Sequence, residues 1–262
     1  MLIFRNNYRI HKVIENYLEI NFKDFIKYSK NKINIGTLVN DYKIWVCWLQ
    51  GEDKMPEVIK LCYKNLCNKL KDKTVVLITF DNLKDYIEIP DYIYNKYENG
   101  NMLPAHFSDI IRCGLLAKYG GMWIDSTIFV TDNIKQHLDI FDSKFYTHKI
   151  NGLTNEQFYS AYRWGPFLLG TKYKNNDVMF LMYEFLIEYW KKYNVAIDYV
   201  FWDYLIGILY KNNSLVKSCI DENKENNLCL WYFKNKLNEK YNFKEVNKII
   251  AENYFLKLTY KE

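Results

Sequence analysis

The chain has 262 residues, 49% of them hydrophobic and 26% charged, with a formal net charge of +5. That length can bury one large core without disulfide or metal staples, and the composition is that of an ordinary globular protein, rich in aromatic residues (24 Tyr, 16 Phe). The lysines are spread along the chain instead of forming a basic stripe, so nucleic acid is not an expected partner.

Residues 10–28 set Ile10, Val13, Ile14, Tyr17, Leu18, Phe22, Phe25 and Ile26 at helical spacing, which predicts an amphipathic helix packed on the main body. Combined with the basic balance, it also gives an expectation of peripheral association with an anionic membrane surface. KIWVCW (43–48) reads as a buried strand leaving through Gly51, and a helix runs from Pro56 to about residue 70. TVVLITF (74–80) is a second buried strand, closed by Asp81 and Asn82. PAHFSDIIRCGLLAKYGG is a helix stopped by Gly120, followed by MWIDSTIFV (122–130) as a third strand. Beyond residue 150 come a WGPFLLG strand, aromatic helices at about 176–192 and 198–211, a polar Asn/Lys-rich stretch (211–227) and a final helical segment.

Strands and helices alternating in continuous apolar runs predict an α/β sheet covered on both faces, in one domain with a helical C-terminal elaboration. Ligands of such sheets sit outside the carboxyl ends of the strands. The apolar runs are too short or too interrupted by acids to span a bilayer. The N-terminus lacks a signal-peptide core, and six cysteines occur without a CxxC pair or a His-Cys cluster. The expectation is a cytoplasmic protein with reduced thiols, acting at the inner face of the membrane.

Asp125 lies inside an apolar segment, where an unpaired carboxylate is costly. On a continuous strand Asp125 and Thr127 face one way and Ser126 the other, and a carboxylate beside a hydroxyl suits a hard cation or ribose hydroxyls. A strand-end aspartate capping a turn is the plainer alternative. Asp109 and Arg112, three apart on the preceding helix, share a face. They form either an intrahelical ion pair or an acceptor and a donor fork for sugar hydroxyls and phosphate. Trp48, beside Gln50 and Gly51 at a strand exit, is placed to stack on a planar base. His106 is read as a residue of the helix N-terminus, and no Ser-His-Asp arrangement can be read from the residue order.

HFSDIIRCGLLAKYGGMWIDSTIFV resembles the signature of sugar transferases with a DXD-type motif: S-D-x-x-R, a short helix, then G-G-x-[YW]-x-D-x-[DT]. With KIWVCWLQGEDKMPEVIKLCYKNL, IPDYI and IDYVFWDYLI, the chain resembles the bacterial capsular polysaccharide synthesis glycosyltransferases over residues 40–210. The resemblance implies a GT-A fold, with residues 1–40 a helical segment, 41–150 binding a nucleotide sugar and 151–262 facing the acceptor. It implies Trp48 on the nucleobase with Gln50, Gly51, Asp81 and Asn82 around it. Asp109 and Arg112 would hold the donor sugar, Gly121 and Ser126 would belong to the same donor site, and Asp125 with Thr127 would contact ribose or a Mn²⁺ or Mg²⁺ ion. Thr127 stands where the wider family usually has a second acid, though threonine is common there in the capsular branch, leaving one carboxylate for the cation; Asp132 is a further oxygen that the spacing does not require.

The implied reaction moves a hexose from a nucleotide sugar, with UDP as the nucleotide, to a lipid-linked or free saccharide precursor of a capsule or surface glycan, with retention. An inverting enzyme would need a carboxylate base, for which Asp198 and Asp203 are the candidates. A sugar-phosphate transferase and a non-catalytic glycan-binding module are the competing readings.

Overall fold

In the computed structural model, residues 2–152, 158–236 and 239–259 are described, with side chains from residue 7 onward. The centre is a five-stranded mixed sheet. Its strands β2 (Lys43–Cys47), β3 (Thr74–Ile78) and β4 (Gly121–Ile124) are apolar runs that burial on both faces turns into strands, and they pair in parallel with β2 in the middle. The register sets Trp45 opposite Val76 on one side and Trp123 on the other. β7 (Leu168–Thr171) runs antiparallel to β4, and β6 (Tyr146–Thr147) closes the far edge against β7. The sheet is therefore mixed. Two ribbons lie outside it: β1 (Thr37–Leu38) with β8 (Tyr173–Lys174), and β5 (Ile128–Val130) with β9 (Phe255–Lys257).

The expected single strand 122–130 is thus two strands. β4 ends at Ile124, Asp125–Thr127 form a turn closed by Ile128 N donating to Asp125 O at 2.9 Å, and β5 departs to pair with β9. Asp125 and Thr127 therefore do not share a strand face. The cause is tertiary: β4 is already flanked by β2 and β7, so the chain beyond Ile124 finds its partner in the C-terminal strand.

Helix α6 (Pro104–Tyr119) covers one face of the sheet and packs on α7 (Asp177–Lys192), while α3 (Glu57–Lys69) lies on the other side against β5. α6 opens with proline in its first turn and stops at Gly120, whose φ of 66° lies in the left-handed region. The expected α6, α3 and α7 are all present within a residue or two of their predicted ends.

The N-terminal segment is α1 (Leu2–Asn21) and α2 (Lys23–Ser29), broken at Phe22. α1 buries His11, Ile14, Glu15 and Leu18. Ile10, Val13, Tyr17 and Ile20 are exposed, so the apolar residues form two stripes and only one packs on the body. The buried face holds a carboxylate: Glu15 is paired with Lys211 at the end of α8 (Phe201–Asn212) and accepts from the Tyr159 hydroxyl. His11 bonds Tyr204 of the same helix at 2.7 Å. Buried charge is tolerated here because every partner is supplied. No helix among the described residues is long and apolar enough to cross a membrane. All six cysteines are free thiols.

Candidate active site

Parallel pairing of β3, β2 and β4 brings the residues after their carboxyl ends to one edge of the sheet. There Asp125, the residue after β4, meets α6 and the end of the chain. Its backbone N–H is tied to Phe167 O at 3.0 Å. Its carboxylate is gripped from three sides: Trp123 Nε1 donates to Oδ1 at 2.8 Å, Lys257 Nζ reaches Oδ2 at 2.6 Å, and Arg112 Nη2 lies 3.7 Å from Oδ1. Arg112 also lies 3.4 Å from Asp109 Oδ1, so Asp109, Arg112, Asp125 and Lys257 form one continuous cluster of alternating charge.

Position on the helix dictates how each group is used. Asp109 and Arg112 are one turn apart on the buried face of α6. The guanidinium is spent largely on protein acceptors: Nη1 donates to Pro166 O at 2.6 Å, Nε to Ser108 O at 3.4 Å and Nη2 to Ser108 Oγ at 3.3 Å. It also lies over the Trp123 ring, 5.0 Å from the centroid. Arg112 is thus chiefly the brace that ties α6, β4 and the loop before β7 together. Asp125 stays ionised against the cost of burial because Lys257 and Arg112 hold its carboxyl below the usual range. Burial works the other way on Lys257, lowering it in spite of Asp125.

A second acid feels the Asp109 carboxylate of this cluster. Asp203 on α8 accepts from Trp164 Nε1 at 3.0 Å, and the Arg163 guanidinium stacks over Trp164 at 4.3 Å. Burial pushes the Asp203 carboxyl up to about 7, with Trp164 pulling against it and the Asp109 carboxylate adding to the rise. Burial likewise raises Asp109 to about 7, against the pull of Arg112. Both folded values lie above the ordinary 3.8, so the folded chain holds protons that the unfolded chain has released between about pH 4 and 7. These two acids should therefore make stability fall as pH rises through that window and level off above it, by up to about 1.4 kcal/mol per pH unit each, offset in part below about pH 6.5 by His148, which burial lowers to about 4. Urea midpoints measured from pH 5 to 8 check this: Asp203→Asn should flatten the slope, and a variant as steep as the parent would show that Asp203 is ionised throughout.

Among the residues named from sequence, Asp109, Arg112 and Asp125 are brought together. Trp48, half-buried, and Gly51 (φ 86°) follow β2 at the same edge, joined by Gly51 N donating to Trp48 O at 3.0 Å, with Gln50 exposed between them. Asp81 is exposed after β3, and the Asn82 side chain closes its own turn by bonding Thr79 N and Leu77 O, both at 2.9 Å. Ser126 and Thr127 sit half-buried in the turn beside Asp125. Gly121 starts β4 at the opposite end, where a Cβ would stand 2.3 Å from Lys43 O; its role is strand packing. Asp198 caps the entry to α8 by accepting from Val200 N at 3.1 Å, and Asp203, the other candidate base, is raised in part by the Asp109 carboxylate. Asp132 forms a surface pair with Lys69 at 2.6 Å. His106 bonds Tyr199 O at 3.0 Å and packs edge-on against Phe201, a structural role.

The donor set does not fit a divalent cation at Asp125 and Thr127. The Lys257 ammonium already neutralises the Asp125 carboxylate at 2.6 Å, and no group of three His, Cys, Asp or Glu side chains able to hold an ion occurs among the described residues. The residue that sequence reading missed is Lys257, one lysine among many, carried by a strand of three residues.

The charged cluster thus lies at the carboxyl ends of the parallel strands, the edge where ligands of open α/β sheets bind. The chain belongs to the capsular polysaccharide synthesis protein family, whose model matches residues 3–262. A stretch of 107 residues is 27% identical to the O-glycosyltransferase braB of Annulohypoxylon truncatum, covering 37% of this chain and 25% of that protein, so the match spans about a quarter of the relative's length. Among solved structures, the PaToxG glycosyltransferase is similar with a TM-score of 0.47 and 13% identity, covering 94% of this chain and 99% of that one. The family is thus one of capsular polysaccharide synthesis, and the curated relative is named a glycosyltransferase.

Proposed function

We propose that this chain is a hexosyltransferase of the GT-A kind that takes a sugar from a nucleotide sugar, with UDP as the nucleotide, and passes it to a saccharide precursor of a capsule or surface polysaccharide. The observation that carries the reading is the Asp109–Arg112–Asp125–Lys257 cluster at the carboxyl edge of the parallel strands, with Trp48 at the same edge. Trp48 offers an aromatic face to a base, Asp125 offers an acceptor to ribose or sugar hydroxyls, and Lys257 offers positive charge to a diphosphate.

In the proposed retaining reaction the bond from the anomeric carbon to the diphosphate oxygen breaks and its electron pair stays on that oxygen. The acceptor hydroxyl oxygen forms the new bond on the same face and its proton passes to the departing diphosphate. Residues of the site need only orient the two sugars and stabilise the developing charge. Incubation with a panel of nucleotide sugars, followed by chromatography of released nucleotide with and without saccharide acceptors, tests the reading. Release of a nucleoside diphosphate from one donor is expected; release of a monophosphate, or no turnover by folded protein, counts against it.

A further inference from the structure

We propose that the Lys257 ammonium stands where the sugar-transferase resemblance places a divalent cation, so that this site grips the donor's diphosphate and neutralises it on departure without metal. The inference rests on the donor reading above and deepens it.

The first support is the state of Asp125. A divalent cation of the Mg²⁺ or Mn²⁺ type needs several oxygen ligands with free lone pairs. Here the indole of Trp123 takes one carboxylate oxygen and Lys257 the other, and the position two residues on is Thr127 instead of an acid. A cation entering this set would share the carboxylate with the ammonium against like-charge repulsion, and no group of three acids or other ligating side chains stands there among the described residues. The ammonium already provides the positive charge that the carboxylate was expected to recruit.

The second support is what Lys257 has left to give. An ammonium has three N–H donors, and at Nζ the only hydrogen bond assigned among the described residues is the one to Asp125. Its side chain is 14% exposed, and the Phe167 ring lies 5.1 Å from Nζ. Arg112, with its side chain 7% exposed and its donors turned to Ser108, Pro166, Asp109 and Asp125, has far less to offer a phosphate. Lys257 is the cation of this cluster with donors to spare.

The third support is the construction that holds it. β9 is pinned in register on β5, with Lys257 opposite Ile128. Lys257 N donates to Leu230 O at 2.7 Å and Leu258 N to Thr127 O at 2.9 Å, which ties the strand to the turn that carries Asp125. Asn227, at φ 47°, accepts from both Tyr254 N (3.0 Å) and Phe255 N (2.8 Å), and Asn253 accepts from Cys229 N at 2.9 Å. Asn227, at the end of the polar stretch, and Asn253 thus fix the height of the strand that carries Lys257.

The test is calorimetric titration of the full chain with UDP, GDP, ADP and CDP, once in EDTA and once in Mn²⁺, with the free Mn²⁺ signal followed by electron paramagnetic resonance. One nucleoside diphosphate should bind with the same affinity in both within about twofold, and the free Mn²⁺ signal should be unaffected by the protein. Lys257→Ala should weaken that binding in EDTA by roughly thirtyfold or more, the lower end of what truncating one partner of a buried charged pair costs. Lys257→Arg should retain most of it, and circular dichroism reports the fold of each variant. Binding that strengthens tenfold or more with Mn²⁺, or Lys257→Ala binding as the parent does in EDTA, overturns the inference while leaving the donor reading in place. Parent protein that binds no nucleoside diphosphate under either condition removes the donor reading and this inference with it. The metal comparison uses unmodified protein, so it decides the matter even if the alanine variant does not fold.

Discussion

Asp125→Asn should lower nucleotide-sugar turnover by about 10²–10³-fold, the range measured when one preorganised electrostatic group is removed from an active site. The amide keeps the volume and can still accept from Trp123 Nε1, but it no longer balances the ammonium that lies 2.6 Å away. Lys257 then loses its anchor, and Arg112 is left with Asp109, whose own carboxyl is held near 7 by burial. Folding stability should drop as well, by about 1–3 kcal/mol, below the full cost of breaking a buried pair because the Asp125 side chain keeps 24% of its exposure. Transfer rates, denaturation midpoints and circular dichroism on the same preparation separate the two effects. Asp132→Asn is the control, since that carboxylate is a surface partner of Lys69 and Lys135. A variant at Asp125 with parental turnover would remove this carboxylate from the site.

Much of this arrangement was legible in the sequence because its signals are local. β2, β3 and β4 announce themselves as apolar runs, and α6 carries proline at its start and glycine at its end. Asp109, Arg112 and Asp125 lie within seventeen consecutive residues, so a short signature holds them all. What stayed hidden depends on contacts between distant segments. Lys257 meets Asp125 across a separation of 132 residues, through a strand whose position is set by the side chains of Asn227 and Asn253. The break after Ile124 was invisible because Ile128–Val130 continues the strand-forming composition, and only the offer of β9 as a partner draws it away. α1 misled for another reason: its apolar residues form two stripes, and periodicity counts apolar positions without telling which stripe the body will cover. Asp203 could be named beside Asp198, but the influence of Asp109 on it crosses from α6 to α8, a link that sequence spacing does not show.

Gly121→Ala should be the most destabilising single-methyl change in the sheet, at about 3–5 kcal/mol or outright failure to fold. Two separate costs meet there. The backbone has φ 89°, a region that L-residues adopt at a penalty of about 1–2 kcal/mol. The added Cβ would also stand 2.3 Å from Lys43 O and 3.0 Å from Trp45 Nε1, and a backbone carbonyl of the neighbouring strand cannot step aside without opening the pairing of Ile44 with Met122. Gly100→Ala isolates the first cost, since that glycine has φ 74° and nothing within 4 Å of the new methyl. The difference between the two variants in denaturation midpoint measures the strand contact alone. If Gly121→Ala proves no worse than Gly100→Ala, the close approach of β4 to β2 is not what the glycine serves. The donor-site role that the family resemblance implies for Gly121 would then regain its claim, and nucleotide affinity of the folded variant would be the quantity to measure.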